Sequence, residues 1–492
     1  MTGAGTRDVP PNASALVEAL RGLGYSIPAA VADIVDNAIS AGAGTVDIDF
    51  VWAADRSCVV IRDNGSGMGE DELVQAMRLG AKNPTARRAS TDLGRFGMGM
   101  KTASFSHCRR LTVASKKEGR LSCLRWDLDE LSKSPTGGWL LFEGPCEGSE
   151  SLVSGLADQT SGTLVLWEVL DRIVTDGYTS EDFADTVDRV GTHLAMVFHR
   201  LLDGSRLKLN LNGRPVMPWD PFLAGHAAKP WESPPAPRHT ADGLVVVQCH
   251  VLPHQDKLTP DEHRRAEGPG GWTAQQGFYV YRNRRLLLAG GWLGLGSPRA
   301  WNREEAHRLA RISIELPNSA DAAWKIDVRK STARIPVALR PWLSRLAADT
   351  RERARRVFAY RGAPSTPGGA NPIVSTWKTE RGQHGIKYTI DTRHSAVAAV
   401  LAGSGAERDL VIAMLRVIEE TVPIQRIWLD TAEAKETPRT SFAGEPTDSV
   451  AEIARTIFKD MTMRQGMDEA TAKRILLTTE PFQQFPQLVA AL

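Results

Sequence analysis

The sequence predicts an α+β protein. A two-layer α/β sandwich comes first, an α/β domain follows, and a mainly helical or mixed region ends the chain. Three observations predict this. Helix-period and strand-period segments alternate from residue 14 onward, a series of strand-like runs follows two early helices, and one Pro/Gly-rich stretch separates the last 120 or so residues from the rest.

Taken in order, residues 14 to 25 and 28 to 42 read as helices, and "TVDIDFVW" and "CVVIRD" as strands of alternating polarity. The stretch from 79 to 93, beginning "LGAKNPTARRASTD", is small, polar and breaker-rich, which suits a mobile surface loop. After residue 103 come "RLTVASKK", "LSCLRWDL", "GWLLFEG" and "GTLVLWEVL", strands for a sheet laid against the earlier helices. A helix at roughly 180 to 202 leads into "RLKLNLNGRPVMPWDPF", two strands around Asn212-Gly213, and a second domain is expected to start there. It resumes with "GLVVVQCHVL" and "GFYVYRNRRLLLAGG" and closes with "ISIELP" and an Arg-rich helix. "RGAPSTPGGANP" carries too much Pro and Gly for an element interior. The expected division is therefore 1–203, 204–361, a linker at 362–373 and a C-terminal region at 374–492. No repeat at solenoid periods occurs.

With 492 residues, 42% of them hydrophobic, the chain can build several cores, and two or three domains are expected. No apolar run reaches bilayer length and the first residues lack the order of an export signal, so the expected location is the cytoplasm, with no membrane partner. Five scattered Cys without any C-x-x-C suit reduced, buried thiols better than a disulfide framework or zinc site. Sixty basic and 58 acidic residues nearly balance, so any surface for nucleic acid must be local.

Three stretches carry chemistry. In "ADIVDNAISAGA", Asp33, Asn37 and Ser40 are spaced to line one stripe of a helix, with Val31, Ile34, Val35, Ala38 and Ile39 mainly opposite. Alone, such a stripe suits solvent as well as it suits a ligand; yet a carboxylate there can orient a water while the amide oxygen ligates Mg²⁺. In "DNGSGM", Asp63 ends a strand, and Gly65 and Gly67 permit positive φ and close approach of a planar ligand before Met68. A buried carboxylate there can accept from an exocyclic amine such as that of adenine. In "GRFGMGMKT", Gly94, Gly97 and Gly99 precede a helix, so unpaired N–H groups face whatever lies in the turn, and Lys101 adds a charge. Each signal is weak alone.

Their joint order, completed by Gly162-Thr163 opening a strand, resembles the Bergerat-fold or GHKL ATPases, the superfamily of gyrase, the ninety-kilodalton heat-shock chaperones, histidine kinases and MutL. Neither a P-loop nor a Rossmann turn follows a first strand. Within that superfamily "VADIVDNAISAGAGTVDIDF" and "IRDNGSGM" look most like MutL and the MORC ATPases, and "LGRFGMGMKTAS" especially like MORC, over roughly residues 14 to 340. The resemblance implies ATP and Mg²⁺ as cofactors, a Bergerat domain followed by a ribosomal-protein-S5-like transducer domain, and a role for each matching residue. Asn37 would hold Mg²⁺, Asp63 would bind the adenine amine with Thr163 in support, and Gly94, Arg95, Phe96, Gly97, Met98, Gly99, Lys101 and Thr102 would wrap the phosphates, with Lys82 reaching in from the lid.

One departure matters. The family usually has Glu as general base where this chain has Asp33, and Asp where it has Ser40. The lost methylene shortens reach by roughly 1.5 Å, and a well-placed base is worth about 10²- to 10⁴-fold. Slow turnover is expected. "WKIDVRK" is similar to the K-x-x-V-R of MutL's second domain, so Lys325 would reach the γ-phosphate, with Lys330 the alternative.

The same resemblance implies an ATP-dependent homodimer working as a clamp, with "NASALVEALRGLGYS" either swapped so that Arg21 and Tyr25 meet the partner's nucleotide, or packed at home. The helix "RPWLSRLAADTRERARRVFAYR" carries Arg340, Arg345, Arg351, Arg353, Arg355, Arg356 and Arg361, a stripe for a phosphate backbone or a solvated face, and Arg282, Arg284 and Arg285 are equally ambiguous. Prokaryotic members resembling MutL and MORC are associated with restriction-like and phage-defence gene clusters, so a DNA-linked ATPase with a partner nuclease or other defence proteins is the first expectation. A chaperone-like clamp on protein clients is the second. A histidine-kinase-like protein is the weakest, since no phospho-accepting His helix precedes the nucleotide motifs. The last 120 residues show no clustered metal set for nuclease activity.

Overall fold

The structure, a computed structural model, describes residues 11–22, 24–80, 99–133, 138–204, 206–327, 332–359, 374–382, 385–424, 427 and 448–492. They fall into two compact units, 1–253 with 261–355, and 254–260 with 356–492. Among the described residues no helix is long and apolar enough to cross a membrane.

The first unit opens with α1 (Ala13–Arg21) and α2 (Ile27–Ser40). Each has the start its sequence encodes: Asn12 and Ser26 accept from the third backbone N–H beyond them, and Pro28 sits in the first turn of α2. Strands β1 (Thr45–Val51) and β2 (Cys58–Asp63) pair antiparallel, and α3 (Glu70–Met77) and α4 (Gly99–Phe105) follow. The sheet continues with β3 (Arg110–Lys117), β4 (Arg120–Asp127), α5 (Leu128–Ser132), β5 (Phe142–Glu143), α6 (Glu150–Ser154) and β6 (Gly162–Glu168). Next come α7 (Ser180–Val197), α8 (His199–Asp203), β7 (Lys208–Leu211) and β8 (Arg214–Pro215). The eight strands lie in the order β5-β4-β3-β6-β2-β1-β7-β8.

The alternation expected for β1 and β2 holds in β1, while β2, like β6 beside it, has two apolar faces. Val59, Ile61, Val165 and Trp167 join the main core with α1, α2, α4 and α7. Cys58, Val60, Leu164 and Leu166 form a smaller core with Val153 of α6. Central strands of a sheet covered on both sides lose their polar face.

The expected boundary at residue 204 is corrected. β7 runs parallel to β1, with Val46 opposite Leu209, so the Asn212-Gly213 hairpin completes the first sheet and does not open a second domain. A second sheet of six strands then forms from β9 (Trp231–Glu232), β10 (Ala236–Thr240), β11 (Gly243–Val251), β12 (Gly277–Arg282), β13 (Arg285–Ala289) and β14 (Ala310–Leu316), with α9 (Pro260–Glu267) between β11 and β12. Helix α10 (Arg340–Ala359) follows.

The C-terminal unit mixes helix and strand. A hairpin of β15 (Trp377–Gly382) and β16 (Gly385–Ile390) precedes α11 (Ser395–Gly403) and α12 (Arg408–Glu420). Three later helices, α13 (Asp448–Lys459), α14 (Glu469–Leu477) and α15 (Pro486–Ala490), enclose a core that includes Val450, Ala454, Leu476, Phe482 and Val489. The expected linker at 362–373 lies outside the described residues.

Candidate nucleotide site

Helix α2 supplies the first side chains. Asn37 and Ser40 are exposed as their spacing predicts, but Asp33 is only 6% exposed. The expected single stripe is therefore split. The covering group is Tyr25, buried in the α1–α2 connection, whose Oη donates to Asp33 Oδ2 at 3.0 Å. Ser40 Oγ turns back to the Asp36 carbonyl at 2.8 Å, the back-bonding geometry usual for a helical serine. Asp36 itself is buried, and Arg285 Nε of β13 donates to both its carboxylate oxygens at 3.1 Å.

The turn after β2 supplies the second set. Asp63 stands opposite Thr163 in the β2–β6 ladder. Its carboxylate is 9% exposed and accepts the Gly65 N–H at 2.8 Å. Burial lifts its pKa to about 6, against the opposing pull of the Gly65 and Thr163 backbone hydrogen bonds. Ser115 of β3 knits this corner together: its Oγ lies 2.9 Å from Thr163 Oγ1, donates to the Gly162 carbonyl at 3.1 Å and accepts the Met68 N–H at 2.8 Å. Asn64 Oδ1 accepts the N–H groups of Gly44 and Thr45 at 2.9 and 2.8 Å, fixing the turn to the chain entering β1.

One glycine assignment changes with this geometry. Gly67 does have positive φ, 68°, but a Cβ there would lie 1.9 Å from the Lys116 carbonyl oxygen, so its bareness serves packing against β3. Gly65 borders the site: a Cβ there would sit 2.9 Å from Asp63 Oδ1 and 3.0 Å from Ala41 Cβ.

The third set begins with α4. Gly99 starts it facing α2, since a Cβ on Gly99 would lie 3.6 Å from Asp33 Oδ2. Thr102 is buried and hydrogen-bonds the Tyr25 hydroxyl. Lys101 is 2% exposed, and its ammonium donates to the carbonyls of Ala76 and Arg78 at 2.7 and 2.9 Å. In this state it therefore serves the carbonyl end of α3. Lys82, Gly94, Arg95, Phe96, Gly97 and Met98 lie outside the described residues, as do Arg329 and Lys330. Lys325 is exposed, in a turn with φ 48°. Two residues on, Asp327 acts electrostatically on Tyr25.

Asp33, Asn37, Asp63, Thr163 and Gly99 thus occupy neighbouring elements around α2, in the chain order the three stretches predict. Residues 25–163 match the family described as histidine kinase-, DNA gyrase B-, and HSP90-like ATPase. This stretch is a GHKL-type ATPase domain. Similar curated proteins include the ATPase morc-1 of Caenorhabditis elegans, 34% identical over 95 residues, which are 19% of this chain and 11% of that protein. The ATPase MORC2B of Mus musculus is 32% identical over 98 residues, 19% of this chain and 10% of its own length. The mismatch repair protein MutL of Pectobacterium atrosepticum is 38% identical over 91 residues, 18% of this chain and 13% of its own. The matches thus cover a small part of each relative.

Several arginines outside the GHKL motifs prove to be structural. Arg21 packs at home: it is 1% exposed, donates to Asp171 at 2.5 and 2.7 Å, and bonds the Phe105 carbonyl that ends α4. Arg282 pairs with buried Asp321, Arg284 bonds the Arg200 carbonyl, and Arg285 holds Asp36. On α10, Arg351 is buried between Trp292 and Trp301, at 4.7 and 4.8 Å from their ring centres, and Arg353 lies over Trp231. Arg340, Arg345 and Arg355 face solvent, while Arg361 lies outside the described residues. Sequence reasoning missed Tyr25 as a neighbour of Asp33, and it missed Ser115 altogether. No local pattern marks either, because both meet the site through tertiary pairing.

Proposed function

We propose that this chain binds ATP with Mg²⁺ and hydrolyses it slowly, as a nucleotide-gated dimeric clamp associated with DNA. The observation that carries the reading is the Asp63 corner: a buried carboxylate at a strand end, framed by Thr163 and Ser115, beside a helix that offers Asp33 and Asn37. Asp63 accepts from the adenine amine, with Thr163 in support. Asn37, exposed one turn from Asp33, offers the hard amide oxygen that Mg²⁺ prefers. The ion, when bound, neutralises phosphate charge. Asp33 orients and deprotonates the attacking water, and Lys325 reaches the terminal phosphate from its exposed turn. Gly94 to Lys101 and Lys82 belong to the phosphate wrap; Lys101 would exchange two carbonyls for phosphate oxygens on nucleotide binding.

Two variants separate binding from chemistry. Asp63→Asn abolishes saturable binding of a labelled ATP, while Asp33→Ala keeps binding and stops hydrolysis. Unchanged turnover in purified Asp33→Ala protein removes the base assignment. Service to DNA, in a restriction-like or phage-defence setting with a partner nuclease or other defence proteins, is supported by the MutL and MORC likeness and by solvent-facing Arg340, Arg345 and Arg355. A second reading, a clamp on protein clients, draws on the apolar side chains Leu410, Met414, Val417 and Ile418 exposed along α12. DNA affinity that falls steeply with salt and depends on ATP favours the first; a salt-insensitive absence of DNA binding favours the second.

A further inference from the structure

The hydroxyl of Thr163 lies between a carboxylate and a second hydroxyl. Asp63 of β2, Thr163 of β6 and Ser115 of β3 stand directly opposite one another across three neighbouring strands, so their side chains share one face of the sheet. Two residues along each strand, the same face carries Ile61, Val165 and Val113 into the main core. Among the described residues the Thr163 hydroxyl meets Ser115, at 2.9 Å, and not Asp63. Counting protons gives that contact a direction. Ser115 is wholly buried, and its Oγ has three neighbours: the Met68 N–H at 2.8 Å, which can only donate, the Gly162 carbonyl at 3.1 Å, which can only accept, and Thr163 Oγ1. A hydroxyl has one proton and two lone pairs. The arrangement that satisfies all three contacts has Ser115 donating to Gly162 and accepting from both Met68 and Thr163, as expected where buried polar groups find partners. The Thr163 proton then points into Ser115 and away from Asp63, and lone pairs are what this hydroxyl offers a ligand.

Resting on the reading of Asp63 and Thr163 as the base-binding corner, we propose that Ser115 is a positioning residue for base selectivity: by taking the Thr163 proton it makes both side chains of the corner acceptors. A purine with a 6-amino group brings donors to such a corner, whereas a 6-oxo purine brings an acceptor there and meets only lone pairs. With Ser115 cut back to alanine, the Thr163 proton is released. Turned to Asp63, it competes with the amine; turned outward, it donates to a 6-oxo group. Both narrow the preference for the amine. The Met68 N–H also loses its acceptor, but a loosened turn weakens both nucleotides alike, so the ratio of their affinities isolates the proton.

The test uses the full-length protein and titration calorimetry with Mg²⁺ to measure Kd for ATP and for inosine triphosphate, whose base carries a 6-oxo group in place of the 6-amino group. Wild type is expected to favour ATP by about tenfold or more. Ser115→Ala is expected to bring that ratio down by about tenfold, the worth of one hydrogen bond. In a Thr163→Val background there is no proton to release, so adding Ser115→Ala should leave the ratio where Thr163→Val alone puts it. A ratio in Ser115→Ala within about threefold of wild type, whether or not both affinities fall together, would overturn the proposal, and so would the full tenfold change on top of Thr163→Val. The two failures are distinguishable. If wild type binds no ATP or shows no preference for it, the reading of the corner falls; if wild type prefers ATP and Asp63→Asn abolishes binding while Ser115→Ala keeps the ratio, only the role of Ser115 falls.

Discussion

Asp63 carries the clearest consequence of burial at the scale of one residue. Its folded pKa of about 6 stands above the ordinary 3.8 because burial outweighs two backbone hydrogen bonds. The folded state therefore holds the proton more tightly than the unfolded chain, and this group's contribution to stability is full below 3.8 and lost as pH rises through about 6. Two pKa units correspond to about 3 kcal/mol. We expect Asp63→Asn to raise Tm relative to wild type at pH 8, with the gain shrinking to nothing below pH 4, while ATP binding disappears at every pH. In wild type the same titration should weaken ATP affinity by up to tenfold per pH unit below 6, because a protonated carboxyl is a poorer acceptor for the adenine amine; a flat affinity between pH 5 and 7, measured with labelled nucleotide, would contradict the assignment. The placements of Asp63, Thr163 and Asn37 on their elements were legible in the sequence because each is fixed by a short local pattern, a strand end, a strand start or a helix spacing. Tyr25 and Ser115 were not, since nothing near them in the chain announces what lies across the fold. Gly67 was legible as a special glycine but not in its cause, because a ligand's approach and a neighbouring strand's approach demand the same missing Cβ.

Between elements, the ion pair of Asp36 and Arg285 is a contact that joins the α2 helix to the second sheet. Both side chains are almost wholly buried, and Arg285 also bonds the Leu286 carbonyl and lies over Phe198. His193 of α7 sits in the same field and has its pKa lowered to about 4, by burial first and by Arg285 second, so it stays neutral and adds no competing charge. Removing one partner of such a pair strands the other, at a cost of about 3 to 5 kcal/mol, while replacing both together is often neutral. Urea unfolding of Asp36→Asn, Arg285→Met and the double variant should show this non-additivity, the double being more stable than either single; additive losses would mean that the pair is not coupled. Since α2 also carries Asp33 and Asn37, the singles should further lower kcat. The elements themselves were well marked in the sequence: "CVVIRD" and "RLTVASKK" are β2 and β3 residue for residue. What the sequence hid was membership. The hairpin of β7 and β8 looks alike whichever sheet it joins, and only its parallel pairing with β1 assigns it to the first. Likewise Arg282, Arg284 and Arg285 stay ambiguous in the sequence until the hairpin that bears them turns two of the three inward.

Across the whole molecule, the cores argue for separable units. The main core of the ATPase unit draws only on residues from Ala13 to Leu211 with their packed neighbours, and the C-terminal core only on residues from Val450 to Val489 with a few neighbours including Ala396. Among the described residues each of these two cores is built within its own unit, so the two units are expected to unfold separately. A chain ended after Ala359 is then expected to bind labelled ATP with Kd within about threefold of the full protein, because Asp33, Asn37, Asp63, Thr163 and Lys325 all lie in the first unit. It should also form an ATP-dependent dimer by light scattering, if the clamp closes through the GHKL domain. Residues 254–260 give the truncation a local signature. They group with the C-terminal unit, so in the shortened chain this segment loses the rest of its unit and should become the first site of limited proteolysis, yielding two fragments that meet there. A shortened chain that is cleaved first elsewhere, or that loses ATP affinity more than tenfold, would mean that the last 130 or so residues hold the ATPase unit in shape and do more than carry a partner surface.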